Sequence, residues 1–266
     1  MAARLRQQLE LIPTALRAVR CFADWPEPVL AKMTSAAELW RYRKGEAVAE
    51  RGDPPKGLWI VAAGSFTAHR SAPNGTYYLQ GVLWPGYMFG LMPALDGIVM
   101  PLSHAARCDS LVVLVPLSAL GDVLNDVRYL RDLCLSMCRG SRVDYENLFS
   151  FGVDSLACRV AKMLAYLQRR AVFPVDAPPG SPAWIDPAPI DLTQDELASM
   201  TGVARQTLNR ALQTFVQEGV VVRDGDAIKV ANFKKLLAHM EETEPLHEIW
   251  RNEILSWDER VSAACG

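Results

Sequence analysis

The spacing of apolar and polar positions changes character twice along the chain. From about residue 40 to 116, short apolar runs alternate with turn residues. Leu58-Trp-Ile-Val-Ala62 and Leu111-Val-Val-Leu-Val115 read as buried strands; Arg51-Gly-Asp-Pro-Pro55, Pro73-Asn-Gly75 and Pro85-Gly86 read as turns. Asn74-Gly75 between apolar runs marks a hairpin, and regularly spaced short strands predict a small barrel or roll. From about Leu117 to Ser150 the period becomes helical. Leu130, Leu133, Cys134, Met137, Ser141, Asp144, Tyr145 and Leu148 recur at three- and four-residue steps. So long an amphipathic helix must pack either on its own domain or on a second copy, and periodicity leaves both open. Leu156, Val160, Met163, Leu164 and Leu167 mark a further helix, and a proline-rich connector at 174–189 follows it. No internal repeat interrupts this order.

The segment from Thr193 to Gly219 carries the most information. Thr193 and Glu196 have the spacing of a capping box, which starts a helix with Leu197 and Met200 as its apolar contacts. Gly202 ends it, because glycine accepts the left-handed backbone of a tight turn. A second helix starts near Ala204, giving a helix–turn–helix pattern. At 100° per residue, Leu208, Ala211, Leu212 and Phe215 share one arc and must be buried. Gln206, Asn209, Arg210 and Gln213 fall on the opposite arc, with Arg205 at the N-terminal edge. This face holds hydrogen-bonding side chains and no acid. Arginine can pair with guanine N7 and O6, and glutamine or asparagine with adenine N7 and N6. Thr207 and the helix N-terminus can hold a backbone phosphate. Val220 to Val230 then reads as two strands about a tight turn, a wing from which Arg223 and Lys229 reach phosphates.

Charge narrows how such a module could work. The chain has 266 residues, 28 basic and 30 acidic, so the net charge is −2 and bulk attraction to a polyanion is excluded. Between Asp186 and Met240 there are six basic and seven acidic residues, so the placement of individual arginines must carry any affinity. Half the residues are apolar, which excludes extended disorder, while the absence of an apolar run of about 18 residues argues against a membrane helix. The N-terminus has charge but no apolar segment behind it, so no secretory signal is expected. Six cysteines in a chain this long point to a reducing cytoplasm rather than a disulfide scaffold.

Other chemistries find little support. Cys134 and Cys138 share a helix face but lack further ligands nearby, so small buried thiols in the helix seam are expected rather than a metal site. His69, His104, His239 and His247 show no ligand spacing. No Walker loop, nucleophile elbow or paired-carboxylate site is present, so no enzyme and no cofactor are expected. Beyond Met240 the chain continues with Leu246, Ile249, Trp250, Ile254, Trp257 and Val261 along one side of a possible helix.

These motifs together resemble the Crp/Fnr family of bacterial transcription regulators. The C-terminal match is Leu192-Thr-Gln-Asp-Glu-Leu-Ala with Gly202-Val-Ala-Arg-Gln-Thr-Leu-Asn-Arg210. The N-terminal match is Lys44-Gly-Glu46, Arg51-Gly-Asp53, Ile60-Val61, Ala63-Gly64, Asn74-Gly75 and Pro85-Gly-Tyr-Met-Phe-Gly90. The resemblance implies an α+β chain: a cyclic-nucleotide-binding-type β-roll with N-terminal helices (1–119), a dimerisation helix (120–152), a winged helix–turn–helix (153–240) and an amphipathic tail (241–266). It implies a cytoplasmic homodimer that binds an inverted repeat in double-stranded DNA, with RNA polymerase and a small-molecule effector as further partners. The dimer seam is expected at Leu130, Leu133, Cys134, Met137, Ser141 and Leu148. The DNA-contacting set is expected to be Thr193, Arg205, Gln206, Thr207, Asn209, Arg210, Gln213, Arg223 and Lys229, with Arg205, Gln206 and Arg210 at bases. Many members carry an acid where Gln206 stands, so the target should depart from the common half-site at that position. The effector pocket is expected at Phe89, Gly90, Leu91, Met92, Met100, Ser103 and His104. In cyclic-nucleotide-binding members a glutamate follows Phe-Gly and an arginine lies about ten residues on. Here Leu91 follows, and Met100-Pro-Leu-Ser-His104 has no arginine. An effector other than a cyclic nucleotide is therefore expected, and Arg107 is placed on the next strand facing solvent. The runner-up reading is a cyclic-AMP sensor with a non-standard pocket, or a module whose DNA reading has decayed.

Overall fold

A computed structural model of the chain describes residues 2–5, 10–171, 190, 192–224 and 227–241. The proline-rich connector, the tip of the wing, the C-terminal tail, His247 and Cys265 lie outside them. The chain divides into two compact units, Met1–Arg139 and Gly140–Gly266.

In the first unit, β1 (Ala3–Leu5), α1 (Leu11–Ala18) and α2 (Glu27–Ala36) precede the roll. The roll contains β2 (Glu38–Tyr42), β3 (Ala47–Ala49), β4 (Gly57–Ala63), β5 (Phe66–Ser71), β6 (Tyr77–Leu83) and β7 (Met88–Phe89). It continues through α3 (Leu91–Asp96), β8 (Ser103–Ala106) and β9 (Ser110–Pro116). The strands pair antiparallel in two sheets, ordered β1-β2-β9-β4-β7 and β3-β8-β5-β6. The predicted hairpin joins β5 and β6: Gly75 has φ +83°, and the Asn74 side chain accepts from the Thr76 amide.

The uninterrupted apolar runs of β4 and β9 follow from burial on both faces. Leu58, Ile60, Val113 and Val115 pack against Leu16, Phe22 and Met33 from the helical side. Trp59, Val61, Val112 and Leu114 point the other way and pack with Tyr42, Phe66 and Phe89 inside the roll.

The predicted single helix from Leu117 is two helices. α4 (Leu117–Asn125) ends at Asp126, whose extended backbone (φ −97°, ψ 116°) breaks the ladder. Asp126 then accepts from the Arg128 amide at 2.9 Å and so caps α5 (Val127–Val153). The division between the two units falls inside α5. Two of the residues expected at the dimer seam pack within the first unit. Leu133 is fully buried in its own unit's core, with Leu120 and Trp25, and Met137 packs against that cluster. The exposed side of α5 carries Val127, Cys134, Cys138, Ser141, Tyr145 and Leu148, of which Cys134, Ser141 and Leu148 belong to the expected seam.

In the second unit, α6 (Leu156–Ala171) is followed by α7 (Gln194–Thr201) and α8 (Arg205–Gln217). β10 (Val221–Asp224) and β11 (Ala227–Val230) form the wing, and α9 (Phe233–Met240) packs on α6. Burying Leu164, Leu197, Leu208, Leu212, Phe215 and Leu236 removes the apolar faces of these helices from water.

Candidate nucleic-acid interface and sensor interior

The capping box forms as the spacing predicts. The Thr193 hydroxyl accepts from the Glu196 amide at 3.2 Å, and Glu196 accepts from the Thr193 amide at 2.8 Å. Gly202 ends α7 with φ +68°, and a Cβ there would lie 3.0 Å from the Phe151 ring. These local constraints set the start of α8. Leu208 and Leu212 are fully buried and Phe215 nearly so, anchoring the helix from behind.

The outward face of α8 presents Arg205, Gln206, Thr207, Arg210 and Gln213 to solvent, with Asn209 half-buried. Arg205 does not stand free. Its Nε donates to Gln194 Oε1 at 3.2 Å and its guanidinium pairs with Asp195 at 3.1 Å, both from the first turn of α7. Sequence reasoning missed Gln194 and Asp195; two residues ten or eleven positions apart carry no periodic signal, and only the motif's turn joins them. Arg223 reaches from the wing to Asn209 Oδ1 at 3.5 Å, linking wing and helix. Lys229 is half-buried on β11. Thr193 is exposed, but its hydroxyl is committed to the cap. The C-terminus of α8 is held from α9: Lys235 donates to the Glu218 carbonyl at 2.7 Å, and His239 Nε2 lies 2.7 Å from the Glu218 carboxylate.

The expected effector pocket separates into different environments. Phe89 and Met100 belong to the roll interior, whereas Leu91 packs on the helical side and Met92 is half-exposed at 51%. Gly90 takes φ +82°, and the Gly57 carbonyl is 2.7 Å from where a Cβ would sit, so no side chain fits there. Ser103 is buried; its hydroxyl donates to Glu50 at 2.7 Å and accepts from the Arg51 amide at 3.0 Å. His104 is 4% exposed and stacks on Phe89 with ring centroids 4.2 Å apart. Its Nδ1 has no hydrogen-bond partner among the described residues, and burial pushes its pKa down to about 3, so the ring is neutral. Arg107 lies in the bend between β8 and β9, not on the following strand. It is half-buried and donates to Ser65 Oγ at 3.4 Å. Among the described residues no group of His, Cys, Asp and Glu could hold a metal ion, and no helix is long and apolar enough to cross a membrane.

Comparison with known proteins agrees with this organisation. Residues 39–126 match the cyclic nucleotide-binding domain and residues 158–239 the Crp-like helix-turn-helix domain. The chain is 26% identical over 208 residues to the CRP-like cAMP-activated global transcriptional regulator of Mycobacterium tuberculosis, covering 78% of this chain and 90% of that protein. It is 28% identical over 183 residues to the cyclic AMP receptor protein of Thermus thermophilus, covering 68% and 77%. The fold is similar to that of FixK2 from Bradyrhizobium japonicum, with a TM-score of 0.65 at 22% identity over 79% of this chain and 98% of that one. With the roll, the long helix and the winged helix–turn–helix in this order, the chain belongs to the Crp/Fnr family of transcription regulators.

Proposed function

We propose that the protein is a cytoplasmic, homodimeric, non-enzymatic regulator that reads an inverted-repeat operator and responds to an effector other than a cyclic nucleotide. The observation that carries the DNA-reading part is the two-faced α8: Gln206, Arg210 and Gln213 exposed, with Leu208, Leu212 and Phe215 buried behind them. Recognition helices contact base edges with their N-terminal residues, which here are Arg205 and Gln206. Two-fold symmetry of a dimer then requires two half-sites about one helical turn apart, or a multiple of it. Gln206 favours adenine where an acid would favour cytosine. Thr207 and the wing residues Arg223 and Lys229 supply backbone contacts that set register. RNA polymerase is the partner through which such a regulator would act.

The cyclic-nucleotide reading is favoured by the match of residues 39–126 and by the names of the relatives. Against it stands the side-chain chemistry. A cyclic phosphate needs a cation, and an unpaired anion in an apolar interior costs several kcal/mol. The segment from Leu91 to Ala106 supplies no arginine or lysine, and Arg107 donates to Ser65 instead.

Selection of duplexes from a randomised pool by the full-length protein at physiological salt tests the first part. An enriched inverted repeat is expected; recovery of no motif refutes DNA reading. A thermal melt with cyclic AMP tests the second part. No shift is expected, and a saturable rise in melting temperature would replace this reading with the cyclic-nucleotide one.

A further inference from the structure

The exposed side of α5 carries two thiols whose place on the helix gives them a use that the reading above does not require. Val127, Arg131, Cys134, Cys138, Ser141, Tyr145 and Leu148 are spaced by alternating steps of four and three residues, and all are exposed. Tyr145 and Leu148 are each 71% exposed and Val127 76%. The neighbouring Leu135 and Phe149, each 43% exposed, widen this face. Four-three spacing is the repeat of a two-stranded coiled coil. This exposed stripe, which holds Arg131 and Ser141 among its apolar residues and runs beside the face that Leu133 and Met137 pack into their own unit, can meet the same stripe of a second copy. The occupant it fits is a second copy of this chain, in parallel about a two-fold axis. In that arrangement each stripe residue faces the same residue of its partner.

We propose that Cys134 and Cys138 form a redox-modification site across this seam, each bridging to the same residue of a second copy. The inference rests on the homodimer proposed above. Packed helices lie about 8–10 Å apart and their Cα atoms sit roughly 2.3 Å from each axis, so seam residues approach to about 3.4–5.4 Å. A disulfide accepts Cα separations of about 4.4–6.8 Å, so the two ranges overlap. Bridging within one helix is disfavoured, because residues four apart hold their Cβ atoms about 5–6 Å apart and a disulfide needs about 3.5–4.5 Å.

The other described thiols are less suited. Cys158 is buried and donates to the Met240 carbonyl, and burial pushes the half-buried Cys21 thiol up to about 11. Cys108 is exposed but lies in the β8–β9 bend, off the seam.

The chemistry requires an oxidant, and a peroxide suffices. One thiol, reacting as its thiolate, attacks the peroxide and becomes a sulfenic acid; the hydroxide released takes up the thiol's proton and leaves as one water. The facing thiol displaces the second water and closes the S–S bond, so two thiols lose two hydrogens and the peroxide is reduced to two waters. The product is a dimer that cannot dissociate, so operator binding no longer depends on assembly at low protein concentration.

The test uses the full-length protein, purified under reducing conditions. Its mass in solution is measured by light scattering, and it is then exposed to hydrogen peroxide. A non-covalent dimer is expected to become a covalent dimer on non-reducing gels and to revert with dithiothreitol. Trypsin cuts after Arg131 and Arg139, so both thiols fall in one peptide, which should appear doubled in mass less two hydrogens per bridge. C134S and C138S should each retain the product through the remaining thiol, and C134S/C138S should lose it while remaining a non-covalent dimer. A dimer that peroxide never bridges, or one still bridged in the double variant through Cys108 or Cys265, overturns this inference alone. A monomer before oxidation overturns the homodimer reading as well.

Discussion

Replacing Lys162 by methionine should be among the most damaging single changes in the second unit. The Lys162 ammonium lies 2.6 Å from Asp154 Oδ2, and the two side chains are 7% and 0% exposed. Ser150 donates its hydroxyl to the same oxygen. Methionine keeps the aliphatic stem but leaves the carboxylate buried without its counter-charge. Exposed pairs contribute about 0–1 kcal/mol, but removing one partner of a buried pair costs about 3–5 kcal/mol. Complete burial of Asp154 places this pair in the second class. The two compact units make a single global transition an unsafe readout, so hydrogen exchange of the α6 and α9 amides is the appropriate assay. At about 1.4 kcal/mol per tenfold, protection should fall by roughly a hundred- to several-thousand-fold. The double variant Lys162→Met with Asp154→Leu should recover much of the loss, since it removes the stranded charge. A fall of less than about fivefold in the single variant, or no recovery in the double, would refute the reasoning. Acid should mimic the lesion. Burial raises the Asp154 carboxyl, but the contacts from Lys162 and Ser150 more than offset it and hold its pKa below the usual carboxylate value. The pair's contribution is therefore full above the unfolded pKa of about 4 and is lost as the pH falls through the lower folded value.

Three further outcomes follow from the same structure. Thr193→Ala removes the capping-box acceptor and should lower stability by about 1 kcal/mol, read as lost protection in α7. Arg210→Ala should cost about 1–3 kcal/mol of operator affinity and relax preference at one base position; Lys229→Ala should weaken all duplexes alike and flatten the salt dependence, and a base-selection experiment giving the reverse would exchange their roles. His104 is neutral and buried with a pKa pushed down to about 3, so its unfolded form binds a proton first as pH falls below about 6.5. Stability should therefore drop between about pH 6.5 and 3, and His104→Phe should remove a few kcal/mol of that drop in an acid titration followed by circular dichroism.

Legibility in the sequence depended on whether a signal was local. The capping box, Gly202 and the buried arc of α8 are each fixed within about four residues, and the folded chain keeps all three. The break at Asp126 was equally local, an acid able to cap the next helix, yet the apolar residues on either side concealed it. On α5, Leu133 belongs to the core of the first unit although it repeats in the same helical period as the exposed Cys134 and Ser141. Leu130, Leu133 and Met137 repeat at helical steps just as Cys134, Cys138, Ser141 and Tyr145 do, and a helix with two useful faces gives one period and no phase. The roll interior is less legible for a different reason. His104 lies in the apolar core because strand pairing sets it opposite Ala68 and against Phe89, a placement made by partners well outside its own strand.

The end of α5 and the bend between α7 and α8 share one tight joint. The Phe151 ring rests on Gly202, the Arg159 guanidinium lies over that ring at 5.7 Å, and the same arginine donates to the Thr201 carbonyl at 3.3 Å. A methyl group at position 202 would meet the ring at 3.0 Å and displace it by a few tenths of an ångström. The last turn of α5 is thus tied to the turn between α7 and α8 by a ring contact, a cation–π contact and a hydrogen bond, and a side chain at position 202 would loosen all three by moving the ring they share.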